Sequence, residues 1–245
     1  MKFTLLAVGA LFLSMSAQAT SLSLDFTSSG GVDTGDTGGA FGNVRTYTND
    51  GVTVTVTAWG LTGHSDTTFQ TANLGQYTGT NLGLGVCNQN EGKNCDSPTH
   101  QVDNAGANDF VLFQFSSIIT SPITITITPY GTYDRDVTYY TGNAASGLNL
   151  SGDALSGLSG VGLNNVQNSD STVSSSSRTV TLSVSGGVNS ILFGAGVGGD
   201  ANADYFKING LTANVTAAPE PATTACVGAA LIGLAALARR LNRRR

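Results

Sequence analysis

Val52-Thr53-Val54-Thr55-Val56-Thr57 alternates an apolar residue with threonine, and Ile123-Thr124-Ile125-Thr126-Ile127-Thr128 repeats the pattern. Successive side chains of a β-strand point to opposite faces of the sheet, so each stretch predicts a strand with one apolar face and one wet face. Other apolar runs, separated by Gly, Asn, Asp and Ser clusters, predict strands at 21–26, 110–115, 179–184, 191–193 and 205–215. Many short strands without sustained helical periodicity predict an all-β fold, an antiparallel β-sandwich of jelly-roll type.

The composition of the chain supports this fold class. Charged residues make up 11% of the 245 residues and 32 residues are Gly, which does not suit a helical bundle or a coiled coil. The formal net charge of −5 argues against a nucleic-acid partner, because binding to phosphates depends on Lys and Arg.

The segment 146–162 is rich in Gly, Leu and Ser. Glycine is unfavourable inside a helix, and an internal repeat would need a longer tract. We therefore expect a flexible surface loop here.

Residues 1–19 have the pattern of a secretory signal peptide. Lys2 precedes an apolar run over 3–13, and Ala17 and Ala19 supply the small residues of a cleavage site. The apolar run is about half of the roughly 20 residues that a membrane-crossing helix needs. We expect cleavage after Ala19 and export of a single domain over 20–217.

The segment 218–245 contains three features in a fixed order. Pro-Glu-Pro at 219–221 is followed by an apolar stretch over 222–238 and by an arginine cluster over 239–245. The apolar stretch is at the lower length limit for a transmembrane helix, and arginines favour the cytoplasmic side of a membrane. A plain tail anchor is one interpretation of this pattern.

This order resembles the PEP-CTERM sorting signal of bacterial exosortase substrates. In that family a membrane-embedded sorting enzyme recognises the motif and removes the helix, and the substrate reaches the cell surface or the exopolysaccharide matrix. The resemblance implies an exosortase as processing partner and a precursor held transiently in the inner membrane through 222–238. By this resemblance the sorting residues are Pro219, Glu220, Pro221, Arg239 and Arg240.

The cysteines suggest one disulfide. Cys87 and Cys95 lie close together in a polar, turn-rich segment, and an exported protein meets an oxidising compartment. Zinc does not fit, because the spacing is wrong and only His64 and His100 could complete a site. Cys226 lies in the C-terminal apolar stretch and would be removed with it.

A second resemblance covers the middle of the chain. The run 82–86, followed by 100–104 and 109–115, is similar to the central segment of exosortase-dependent surface proteins. The similarity implies a β-rich surface domain and carries over no catalytic residue. From the residues themselves, Asp103 and Asn104 can build a turn through hydrogen bonds to nearby backbone, and a ligand role is the alternative.

Calcium is the one cofactor that the sequence suggests. Asp200, Asn202 and Asp204 place side-chain oxygens at alternate positions before a predicted strand, and Ca²⁺ prefers several oxygens at once. The EF-hand pattern is not completed, so an Asx-rich turn without a metal is the alternative.

The chain offers little to support catalysis, and we expect that it is not an enzyme. His64, Ser65 and Asp66 are adjacent, whereas the members of a catalytic triad converge from separate segments. Asp134 and Asp136 flank Arg135, which predicts a solvated charge cluster. A polysaccharide-active or ester hydrolase is therefore the third-ranked interpretation.

Exposed aromatic side chains can stack on sugars. The candidates for carbohydrate contact are Tyr130, Tyr133, Tyr139 and Tyr140, although tyrosines are also ordinary half-buried residues of a sandwich. The sequence as a whole predicts a structural or adhesive component of an exopolysaccharide or biofilm matrix. A Ca²⁺-assisted carbohydrate-binding module is the second interpretation, with an exopolysaccharide as its partner.

Overall fold

The computed structural model describes residues 20–28, 32–33, 40–64, 67–78, 82–92, 95, 100–198 and 202–216, with single positions between 228 and 242. The chain divides into two units, Thr20–Thr216 and a unit made of Met1–Ala19 with Ala217–Arg245. The described positions of the second unit have α-helical backbone, and they are Gly228, Ala230, Leu231, Gly233, Leu234, Arg239 and Asn242. Among the described residues, no helix is long and apolar enough to cross a membrane.

The unit Thr20–Thr216 is built from β-strands. The strands in the described residues are β1 Thr20–Asp25, β2 Val32–Asp33, β3 Val44–Asn49, β4 Val52–Leu61, β5 Phe69–Thr71, β6 Asn73–Tyr77, β7 Gly83–Cys87, β8 Val102–Asp103, β9 Asp109–Pro129, β10 Val137–Gly142, β11 Asn165–Ser169, β12 Arg178–Leu182, β13 Val188–Ala195 and β14 Tyr205–Val215. Two 3₁₀ helices, Gln89–Glu91 and Leu155–Val161, lie between them. The strands pair antiparallel in one large sheet, which confirms the all-β prediction.

Strand β9 is 21 residues long and belongs to two halves of this sheet. In its first part, Phe113 pairs with Val56 of β4 on one side and with Ile191 of β13 on the other. In its second part, Ile125 pairs with Val180 of β12 and Leu211 of β14. One strand therefore joins a half built on β4 and β13 to a half built on β12 and β14.

The alternating stretches have one dry and one wet face, as predicted. Ile123, Ile125 and Ile127 are fully buried, and the threonines between them are partly exposed. Val54 and Val56 of β4 are also fully buried. The period-two pattern was therefore sufficient to find the inner face of both stretches. The stretches 110–115 and 123–128, predicted as separate strands, are parts of the single strand β9.

The two halves enclose the main core. The ring centroids of Phe193 on β13 and Phe206 on β14 lie 6.2 Å apart, and those of Phe26 and Phe113 lie 5.8 Å apart. Phe113 and Phe193 belong to the half built on β4 and β13. Phe206 belongs to the other half, and Phe26 directly follows β1, which pairs with β14 of that half. The halves thus face each other in a β-sandwich-like arrangement.

The segment 146–162 is not a flexible surface loop, and that prediction is wrong. Leu150 is fully buried and Leu158 is 1% exposed, and both pack with Trp59 and Phe110 in a second hydrophobic core. The segment covers the face of β4, β9 and β13 that is turned away from the main core. Its 3₁₀ helix ends at Gly162, whose φ of +93° is a conformation that residues with a side chain rarely adopt.

The predicted disulfide between Cys87 and Cys95 is present. Both residues are buried, and Cys87 ends β7. The next residue, Asn88, caps the helix Gln89–Glu91 and accepts the backbone N–H of Asn90 at 2.9 Å. The cross-link therefore fixes one end of this turn to the sheet.

The second core gives a stability prediction. Leu158→Ala should lower the free energy of unfolding by about 2 to 5 kcal/mol, because it removes buried methyl groups and leaves a cavity. Val173 is 46% exposed, so Val173→Ala should change the free energy by less than about 0.5 kcal/mol. Urea denaturation followed by tryptophan fluorescence measures both, and equal effects would show that 146–162 does not stabilise the domain.

Candidate functional site

The structure describes only two of the three predicted calcium ligands. Asp200 lies outside the described residues, Asn202 is exposed, and Asp204 is buried with 2% of its surface exposed. The proposed Asp200–Asn202–Asp204 loop therefore stays a prediction. Asp204 itself is held inside the protein by hydrogen bonds from other segments of the chain.

The carboxylate of Asp204 accepts hydrogen bonds from three segments of the chain. Its Oδ1 accepts the N–H of Asp136 at 2.8 Å. Its Oδ2 accepts the side-chain amide of Asn104 at 2.8 Å and the N–H of Gly196 at 3.0 Å. A Cβ at position 196 would lie 3.0 Å from this Oδ2, so a side chain there would crowd the carboxylate.

Asp134 and Asp136 are buried, at 1% and 6% exposure, and the prediction of a solvated charge cluster is wrong for both. Ser171 holds them, since its Oγ donates to Oδ1 of Asp134 at 3.1 Å and its N–H donates to Oδ1 of Asp136. The intervening Arg135 turns away and donates to the carbonyls of Thr172 and Ser176 at 2.9 Å each.

Asp134, Asp136 and Asp204 form one buried cluster. Each offers a carboxylate oxygen, and these three oxygens lie within 4.8 Å of one another. The pKa of Asp204 is raised to about 7, and burial is the largest cause. The negative charges of Asp136 and Asp134 act in the same direction, and the hydrogen bonds from the N–H groups of Asp136 and Gly196 oppose them. The sequence contains one signal for this cluster, because residues 134 and 136 fall on the same face of an extended chain. No local sequence pattern predicted that Asp204 would lie beside them.

A cleft of about 470 Å³ opens beside the cluster. Asp136 lines it together with Thr138, Asn168, Ser171 and Gly196. The cluster is thus buried, but through Asp136 it borders a cleft that is large enough for water and small solutes.

Lys207 forms a second buried charged site that the sequence did not predict. The residue is 2% exposed, its Nζ donates to the carbonyl of His100, and the same Nζ lies 4.0 Å from the centre of the Tyr77 ring. Burial lowers the pKa of Lys207 to about 7, while the charges of Asp103 and Glu91 act in the opposite direction.

Two carboxyl groups lie in the same region. Asp103 accepts the N–H of Ala105 at 2.9 Å, which confirms the turn expected there, and burial raises its pKa to about 7. Asp109 is fully buried, accepts the amide of Asn88 at 2.9 Å, and burial raises its pKa well above the usual range. The structure also brings Cys87 within metal-binding distance of Glu91 and His100, but its sulfur is bonded to Cys95 and is not a free thiolate.

The four candidate sugar-contact tyrosines divide into two pairs. Tyr130 and Tyr133 are 42% and 41% exposed, and the Tyr133 ring lies 4.6 Å from that of Tyr205. Tyr139 lies in the main core and is 3% exposed, so its ring does not offer the open face that stacking on a sugar needs. Tyr140 packs in the second core, and its 9% exposed surface borders a cavity. Neighbouring residues of a strand point to opposite faces, and both faces of β10 are covered.

The predicted sorting residues Pro219, Glu220, Pro221 and Arg240 lie outside the described residues, as does the predicted signal peptide at 1–19. Arg239 is described as helical and exposed. Of the adjacent residues with triad chemistry, His64 is exposed, and Ser65 and Asp66 lie outside the described part of the chain.

Lys207 gives a pH prediction. Between about pH 7 and the ordinary lysine value of 10.5, the unfolded chain keeps a proton that the folded protein has lost, so stability should rise with pH. Relative to Lys207→Met, the free energy of unfolding of the wild type should increase by about 1 to 2 kcal/mol from pH 7 to pH 9. Urea titrations of both proteins in a Cys226→Ser background, which prevents thiol exchange, measure this difference. A constant difference across these pH values would show that Lys207 keeps its proton in the folded state.

A function can be inferred from the buried carboxylates, from the exposed Tyr130 and Tyr133, and from the sequence patterns predicted to be signals at the two ends. Searches for similar proteins add no relative. No protein-family model, curated protein or solved structure matches the chain.

Proposed function

We propose that this chain is an exported protein that an exosortase sorts to the cell surface or the exopolysaccharide matrix, where its β domain has a structural or adhesive role. The two ends support the proposal, since residues 1–19 have the features of a signal peptide and 218–245 resemble a PEP-CTERM sorting signal. On this proposal the inner membrane holds the precursor through 222–238 only until the sorting enzyme removes the helix.

The observation that carries the proposal is the buried disulfide between Cys87 and Cys95. Disulfides form and persist in oxidising compartments and are rare in the cytosol. The disulfide of this domain therefore favours an exported protein over a cytosolic one, which agrees with the inference from the two ends.

Two finer features belong to the same proposal. Jelly-roll connectivity is supported by pairing between strands that are far apart in the sequence, such as β1 with β14 and β9 with β13. Transmembrane character of 222–238 is supported by its apolar composition and by the helical backbone at the positions described there.

A carbohydrate-binding role is the second candidate, and the exposure of Tyr130 and Tyr133 favours it. Tyrosine rings that are open to solvent can stack on the apolar face of a sugar. Tyr133 is followed directly by Asp134 in the chain, so the exposed ring and the buried carboxylates lie at the same end of the domain.

A hydrolase gains no support from Asp134 and Asp136. Asp134 is 1% exposed and does not line the cleft beside Asp136, whereas both acids of a glycosidase flank the sugar bond. Hydrogen bonds from Ser171 also direct Asp134 and Asp136 into the protein.

Intact-mass spectrometry of the protein from its native culture tests the sorting proposal. We expect a mass that begins at Thr20 and ends near 219–221, and that rises by about two hydrogens on reduction of the disulfide. The medium and the envelope should be analysed separately, because release and attachment are both compatible with processing. A mass that still includes Arg245 would mean that the C-terminus is an ordinary anchor.

Sugar binding is tested by replacing the exposed rings. Tyr130→Ala and Tyr133→Ala should each weaken retention on polysaccharide from the culture's own matrix about three- to tenfold, because stacking is lost. Affinity electrophoresis measures retention, and Tyr133→Phe is the matched control because it keeps the ring. Unchanged retention in both alanine variants would exclude this role for the tyrosines.

A further inference from the structure

Three carboxylates in one buried cluster need compensation for their charge. Asp134, Asp136 and Asp204 are all at most 6% exposed, and their nearest oxygens lie within 4.8 Å. Like charges at this distance repel strongly away from water, because the screening of the solvent is lost. The guanidinium of Arg178 interacts with the charges of Asp136 and Asp134 and offsets part of them. The remaining negative charge needs protons or a bound cation.

The hydrogen bonds show where compensation is missing. Both oxygens of Asp204 accept donors, and Oδ1 of Asp134 accepts the N–H of Arg135 and the hydroxyl of Ser171. Oδ2 of Asp134 is buried and has no hydrogen-bond partner among the described residues. An ionised carboxylate oxygen can only accept, so the other two carboxylates cannot satisfy it unless a positive species lies between them.

We propose that Asp134, Asp136 and Asp204 bind one Ca²⁺ ion. Oxygens bound to a common Ca²⁺ lie about 2.3 to 2.6 Å from it and so at most about 5 Å from each other, which is the spacing observed here. All three ligands are hard oxygens, and three carboxylates suit Ca²⁺ better than Mg²⁺, which is usually held by one or two. The cleft beside Asp136 has room for water molecules that would complete the coordination shell.

The ion would join segments that are far apart in the sequence. Asp134 and Asp136 lead into β10, Asp204 leads into β14, and Ser171 ties the segment after β11 to the first two carboxylates. A ligand that binds only the folded arrangement stabilises it in proportion to its concentration over the dissociation constant. Ca²⁺ would therefore cross-link these segments at this end of the sandwich and stabilise the folded domain.

This site differs from the loop expected from the sequence. Of Asp200, Asn202 and Asp204, it uses only Asp204, and the other ligands come from about 70 residues earlier in the chain. The inference also does not depend on export or on sugar binding, since it rests on the contacts of the three carboxylates. A calcium-free protein could still be a matrix protein, so the two proposals can fail separately.

The test uses the full chain in a mild detergent, freed of metals with a chelator. We expect CaCl₂ to bind with a stoichiometry of one by calorimetry, and to raise the melting temperature by about 5 °C or more at a hundred times the dissociation constant. MgCl₂ at the same concentration should give a smaller shift. Absence of calcium binding at millimolar concentration, or an equal shift with magnesium, would overturn the proposal.

Asp134→Asn is the decisive variant, because it keeps the size of the side chain and removes one charge. It should weaken Ca²⁺ binding at least about tenfold, while its melting temperature in chelator should equal or exceed that of the wild type, since repulsion is relieved. Asp170→Asn is the matched control, because Asp170 is exposed and lines the same cleft without belonging to the cluster. If Asp134→Asn retains the calcium shift, or if Asp170→Asn loses it equally, the ion is not held by these three residues.

Discussion

The burial of β9 is the constraint on which the rest of the domain depends. Along Asp109–Phe115 the strand is apolar on both faces, and along Ile123–Thr128 only the isoleucine face is apolar. Burial stabilises the fold in proportion to the apolar area removed from water. The first part of β9 therefore needs apolar residues packed on both of its faces, and the second part needs them on one face only. The sheet meets both needs by folding over on β9 with the main core inside, and by carrying a second layer on the outer face of one half.

The second layer explains several features that the sequence leaves unexplained. Trp59 and Tyr140 lie on strands that already contribute neighbouring side chains to the main core, and their own rings need cover on the opposite face. Leu158 and the other leucines of 146–162 supply that cover. The glycines between them allow the chain to follow a tight path across the sheet, as the left-handed conformation of Gly162 illustrates. A composition that is typical of loops can therefore also build a compact cover for a sheet.

The parts of the structure that could be predicted are those that depend on local pattern. The alternation at 52–57 and 123–128 determines which face is dry, and Cys87 and Cys95 are near enough in sequence to form a bond in an oxidising compartment. The parts that could not be predicted depend on which segments meet. Asp134 and Asp136 flank an arginine, and only the pairing of distant strands shows that Asp204 lies beside them. The burial of Tyr139 also depends on distant segments, because its ring packs in the main core that the two halves of the sheet enclose.

The placement of charge in this domain also carries information about function. Only 11% of the residues are charged, yet Asp134, Asp136, Asp204 and Lys207 are almost completely buried. The removal of an ion from water costs several kcal/mol even after relaxation, and well-packed apolar residues often replace buried charges without loss of stability. A fold that needed only a core would therefore not gather carboxylates at one end. Since the donors of Ser171, Asn104 and Gly196 hold these groups but leave an oxygen of Asp134 unpaired, the arrangement is better explained by a ligand than by packing.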